Sequence, residues 1–165
     1  MNFSELYGRY AHDVYRFALY LCGSEFLAED LTSETFVHAM CSPTDLRLGT
    51  VKAYFFAITR NLYRDHRARQ GQTVASDSLL ERPDPRPGPE ASAQDRQELQ
   101  KTLRAMQTLP EQQREALLLA LDGDLSYEEI GRILGCSLPA VKVRIHRARM
   151  SLKAELQERS TLCKM

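Results

Sequence analysis

The stretch SYEEIGRILGCSLPAVKVRIHRAR, residues 126–149, decides the reading of this chain. Ser126 followed three residues later by Glu129 marks a helix start, because hydroxyl and carboxylate can each satisfy a backbone N–H that a first turn leaves unpaired. Ile130, Ile133 and Leu134 recur at helical spacing and give one inward face. Gly135 permits a sharp turn at 135–137. Val141, Ile145 and Ala148 then give a second inward face on a helix from Leu138 onward. A capped helix, a short turn with glycine and a second amphipathic helix make a helix-turn-helix.

The second helix carries Lys142, Arg144, His146, Arg147, Arg149 and Lys153, with no acid between Leu138 and Lys153. That composition suits a helix laid along phosphates and into a major groove. A merely solvated basic face is the competing reading of any such charge run; the turn and the capped helix before it favour nucleic acid. Residues near the start of such a helix reach base edges, while guanidiniums farther round it hold the backbone. Pro139, Lys142, Val143 and His146 are therefore the candidates for bases, and Arg144, Arg147 and Arg149 for phosphates. Ser126 and the first turn after it can offer backbone N–H groups to a further phosphate.

Upstream of this unit, Leu99, Leu103, Met106 and Leu109 mark one helix. Pro110 opens another, EQQREALLLALDG, that runs to a glycine stop. Residues 71–98 form a polar linker with Pro83, Pro85, Pro87 and Pro89 alternating with charged residues or Gly88. A coil of about 30 residues spans roughly 30 Å relaxed and about 100 Å stretched, so it can hold two domains apart on a long ligand.

The N-terminal third reads as three helices. Phe3, Leu6, Tyr7, Tyr10, Val14, Phe17, Ala18 and Leu21 make an inward stripe ending at Gly23. Ser24 caps a second helix with Leu27, Leu31, Phe36 and Met40 inward and the acids Glu29, Asp30 and Glu34 outward. The turn formers of CSPTDLRLGT, 41–50, precede a helix from Val51 to about Arg69. There Val51, Phe55, Ile58 and Leu62 are expected inward. Lys52, Tyr54, Arg60, Asn61, Tyr63, Arg64, His66 and Arg67 are expected elsewhere around it as an aromatic and cationic surface. No stretch reads as a strand. The expected fold is all-α, with two small helical domains at 1–70 and 99–160 joined by a flexible linker at 71–98.

The formal net charge of zero conceals a segregation: −4 over residues 1–41, +4 over 42–70 and +5 over 138–153. Two basic stretches separated by acidic ones point to two contacts with a polyanion and an acidic surface left for another partner. Cys22, Cys41, Cys136 and Cys163 are too far apart in sequence for a zinc or redox motif and read as reduced thiols, so neither metal nor cofactor is expected. MNFSELYGRY does not open as a secretory signal, and no apolar run approaches the roughly 18 to 20 residues of a membrane span. A cytoplasmic protein without membrane insertion is expected. His12, His38, His66 and His146 lie in separate segments and no catalytic motif can be assembled, which argues against an enzyme.

With these residues in view, the chain resembles the extracytoplasmic-function (ECF) group of bacterial RNA polymerase sigma factors of the sigma-70 family. AEDLTSETF at 28–36 is similar to the region 2 helix that docks on core polymerase. VKAYFFAITRNLYRDHRAR at 51–69 is similar to the promoter-opening helix. LPEQQREALLLALDGDLSYEEIGRILGCSLPAVKVRIHRAR at 109–149 is similar to region 4. The resemblance implies Glu29, Asp30, Glu34 and Thr35 as polymerase contacts. It implies the −10 element for the N-terminal domain, through Tyr54, Arg60, Asn61, Tyr63 and Arg64 and, in the loop ahead of them, Asp45, Leu46 and Arg47 around a flipped base. Aromatic and cationic groups suit that task because stacking catches unpaired bases of any sequence. The −35 element falls to the C-terminal domain. Elements roughly 17 base pairs apart, at about 3.4 Å each, are near 60 Å apart, beyond the relaxed linker but within its stretched reach.

Partners implied are core RNA polymerase, promoter DNA and an anti-sigma factor. The sequence departs from the family pattern in Tyr54, where Trp is common, and in Ala140 and Val143, where Thr and Ser are common. A stand-alone helix-turn-helix regulator is the alternative reading; the basic aromatic helix at 51–69 is what such a protein would not need.

Overall fold

The computed structural model describes residues 2–42, 49–71 and 93–163. Seven helices and no strand occur among them: α1 (Phe3–Cys22), α2 (Glu25–Cys41), α3 (Val51–Gln70), α4 (Ala93–Gln107), α5 (Glu111–Leu121), α6 (Tyr127–Leu134) and α7 (Leu138–Cys163). The chain divides into two compact units, Met1–Arg82 and Pro83–Met165. Among the described residues no helix is long and apolar enough to cross a membrane.

In the first unit each helix is packed on the other two. α1 begins with a reciprocal cap, Glu5 N–H donating to Asn2 Oδ1 at 2.9 Å and Asn2 N–H to Glu5 Oε2 at 3.2 Å. It ends at Gly23, whose φ of 76° closes the turn, and Ser24 at once caps α2 by accepting from Leu27 N–H at 3.3 Å. Val14, Phe17, Ala18 and Leu21 fill the core as their spacing predicts. Phe3 and Tyr7 remain at the rim, with their rings 6.1 and 4.9 Å from Phe36.

Phe3 and Tyr7, expected inward, are 43% and 45% exposed, and two further expectations for the inward faces fail. Met40 is 63% exposed: a four-residue row drifts about 40° per step around a 3.6-residue helix, and the row Ala28, Thr32, Phe36, Met40 has left the core by its last member. α3 is turned about a quarter revolution from its expected orientation. Its buried line is Phe55, Phe56, Thr59, Arg60 and Tyr63, whereas Val51, Ile58 and Leu62 lie at the margin. Polar groups on and beside this line find partners within α3 or on α1. Thr59 Oγ1 donates to Phe55 O at 2.8 Å, Tyr63 Oη accepts from Arg67 at 3.2 Å, and Lys52 Nζ reaches Asp13 at 3.2 Å.

In the second unit α5 is enclosed on all sides, Arg114 to Leu119 being buried in succession. Arg114 Nη1 donates to Gln107 Oε1 at 2.9 Å and so ties α5 to α4. α4 starts at Ala93, six residues before the apolar spacing becomes visible at Leu99, because residues 94–98 are all polar and exposed.

Candidate nucleic-acid interface

Ser126 and Glu129 form the anticipated box: Glu129 N–H donates to Ser126 Oγ at 3.1 Å and Ser126 N–H to Glu129 Oε2 at 2.8 Å. The box occupies two donors that the reading of Ser126 as a phosphate contact would use. Of this first turn, the N–H groups of Tyr127 and Glu128 have no acceptor within the helix. α6 ends at Gly135, with φ 65° and ψ 37°, whose N–H returns to Gly131 O; Cys136 N–H reaches the same oxygen at 3.0 Å. Gly131 is the residue that sequence spacing did not single out. A Cβ there would stand 2.9 Å from Cys136 O, so the turn closes against the helix only because this position has no side chain. Ser137 then starts α7 by accepting from Ala140 N–H at 3.3 Å.

Val141, Ile145 and Ala148 anchor α7 in the core. Around the rest of its circumference Pro139, Lys142, Val143, His146, Arg147 and Arg149 are exposed and Arg144 is half-buried. The structure thus brings the expected base-side and phosphate-side residues together on one continuous outward surface. Met150, 56% exposed, lies on it as well, two turns beyond Val143, an apolar neighbour that the charge pattern does not reveal.

In the first unit Glu29, Asp30 and Glu34 are exposed on α2. Thr35 is not. It is fully buried where α2 packs on α3, donating to Leu31 O at 2.7 Å with its oxygen 3.0 Å from Thr59 Oγ1, and is out of reach of a partner. The outward face instead includes Phe26, Val37 and Met40, all exposed. Thr35→Val keeps the shape and removes the hydroxyl. It is expected to cost this unit about 0.5–1.5 kcal/mol, read from urea unfolding by circular dichroism; an unchanged midpoint would contradict a stabilising role for the buried hydroxyl.

The expected aromatic and cationic surface of α3 is smaller than the sequence suggested. Asn61 and Arg64 are exposed, but Tyr54, Arg60 and Tyr63 are 8%, 7% and 2% exposed and belong to the packed side. They cannot receive a stacked base in this conformation. Arg67 takes their place on the surface, with its guanidinium 5.9 Å from the Tyr63 ring and bonded to the Tyr63 hydroxyl. Asp45, Leu46 and Arg47 lie outside the described residues.

Comparison with known proteins identifies the family. Residues 6–73 match the family described as sigma-70 region 2, and residues 99–152 match sigma-70, region 4. The ECF RNA polymerase sigma factor SigE of Mycolicibacterium smegmatis is 36% identical over 164 residues, covering 97% of this chain and 63% of that protein. SigM of Bacillus subtilis, another ECF sigma factor, is 33% identical over 93% of this chain and 94% of its own length. Among solved structures, the sigma factor RpoE from Bartonella quintana, in complex with the anti-sigma factor NepR, superposes with a TM-score of 0.73 at 28% identity, over 94% of this chain and 96% of that one. Two matched regions in the same order, and a relative aligned over nearly its whole length, establish that the chain belongs to the ECF group of sigma-70 family RNA polymerase sigma factors.

Proposed function

We propose that the two units divide the work of promoter recognition for core RNA polymerase, which itself carries out the chemistry of transcription. Unit 1 docks on polymerase through the outward face of α2, where Glu29, Asp30 and Glu34 alternate with exposed Phe26, Val37 and Met40. Apolar side chains supply the contact energy of such a surface, and the acids select a basic partner and speed encounter. Asn61, Arg64 and Arg67 on α3 hold the −10 strand, with buried Tyr63 orienting Arg67. Unit 2 lays α7 in the major groove of the −35 element. The chain acts in the cytoplasm. A protein of the anti-sigma class restrains it, as the solved complex of RpoE with NepR suggests.

The observation that carries this reading is α7 itself. One side of the helix is sealed into the core, the other carries cations at 142, 144, 147, 149 and 153, and the first acid after Leu138 is Glu155. Neutralising phosphates releases counterions, so binding weakens with salt by a slope of about 0.9 per contact. Arg144→Ala and Arg147→Ala, in the protein joined to core polymerase, are each expected to weaken promoter binding across upstream sequences and to flatten that slope by about 0.9. An unchanged slope in both variants would remove α7 from the phosphate backbone.

A further inference from the structure

The outward surface of α7 is ordered as well as basic. At about 100° per residue, the line opposite buried Val141, Ile145 and Ala148 runs through Pro139, Val143, His146 and Met150. Val143 and Met150 on this line are 45% and 56% exposed. Lys142, Arg149 and Lys153 flank it on one side, and Arg144 and Arg147 on the other. The helix therefore presents a ridge, apolar at Pro139, Val143 and Met150 and interrupted by the His146 imidazole, between two cationic rails.

A duplex major groove has the complementary order. Its two phosphate walls stand about 12 Å apart, close to the diameter of a helix with its side chains, and the base-pair edges lie between them. Rails on both flanks fit the walls and direct the ridge at the edges. Among the groups displayed there, the apolar one is the 5-methyl of thymine; the others are hydrogen-bond donors and acceptors. Pro139, Val143 and Met150 offer no side-chain oxygen to accept from adenine N6 or cytosine N4, and a base donor covered by Val143 would lose its water without replacement.

We propose that Val143 is a specificity-determining residue that reads a thymine by its 5-methyl group. This rests on the placement of α7 in the major groove and goes beyond it by naming the chemical group read. The rails supply affinity for any duplex, and the ridge sets the preference.

The test uses the full chain reconstituted with bacterial core polymerase. Duplexes with a randomised upstream segment are selected for binding, and in the best of them each thymine is replaced singly by uracil, which removes one methyl and leaves the pairing intact. One replacement is expected to weaken binding about fourfold, the worth of one buried methyl-sized group. Val143→Ala is expected to bind the thymine and uracil duplexes equally. The residue is half-exposed, and unaltered helical circular dichroism checks that unit 2 stays folded. A uracil penalty that persists in Val143→Ala, or a selected segment in which no thymine matters, overturns thymine reading while leaving α7 in the groove. Failure to select any upstream segment overturns both readings at once.

Discussion

Phe55→Ala is expected to cost the first unit about 3–5 kcal/mol, the usual loss when a buried phenylalanine ring is truncated. Phe55 is 1% exposed, with ring centroids 5.5 Å from Tyr10 on α1 and 4.8 Å from Phe36 on α2. Phe36 in turn meets Phe3 and Tyr7. The vacated space therefore opens where all three helices converge, and no single side chain can fill it from one helix alone. Lost tilted contacts between rings add to the lost burial. Domains are stable by only about 5–15 kcal/mol, so this substitution removes much of the margin. Urea unfolding followed by circular dichroism reads the effect; a loss under about 1 kcal/mol would contradict the packing described for Phe55.

Two glycine substitutions are expected to act in opposite directions. In Gly131→Ala the new Cβ meets Cys136 O at 2.9 Å. That atom is backbone, held in place because Gly135 and Cys136 both donate to Gly131 O, so relief requires α6 and α7 to move apart. Overpacking of this kind costs about 1–3 kcal/mol, and promoter affinity falls with it because α7 leaves its position relative to α6. Gly8→Ala in the exposed middle of α1 meets nothing within 4 Å and is expected to gain about 0.5–1 kcal/mol, since glycine loses more backbone freedom in a helix than alanine. Thermal midpoints of both variants check the pair; equal shifts would contradict the steric account of Gly131.

The contrast between these glycines shows what spacing alone can reveal. Gly135 was legible as a turn residue because it follows the last apolar member of its helix. Gly131 lies inside the helix, and its constraint comes from a carbonyl five residues later, a contact that only the folded turn creates. The all-α architecture was legible for a similar reason, since Gly23, Ser24, Ser126 and Gly135 punctuate strong helical periodicities and declare the helix ends locally. α7 was legible because cations and apolar anchors divide cleanly around it.

The orientation of α3 is hard to read because Tyr54, Arg60 and Tyr63 look in sequence like surface residues, yet all three are buried. Each has an apolar portion that packs, and the hydroxyls of Thr59 and Tyr63 are hydrogen-bonded within the same helix. Thr35 was misread in the same way: an interior hydroxyl served by Leu31 O looks, in sequence, like one more polar residue of an acidic face. The exposed Phe26, Val37 and Met40 show the reverse error, with apolar residues assigned no surface role although they share the face with the acids.

The central claim is that this chain recognises promoters as part of polymerase. Its most direct test is transcription by bacterial core polymerase from a promoter library, with and without the full chain. Transcripts that start only when the chain is present, and that share upstream sequences at two positions, are the predicted result. Failure to associate with a competent core, together with tight and specific duplex binding by the chain alone, would contradict it and identify a stand-alone regulator.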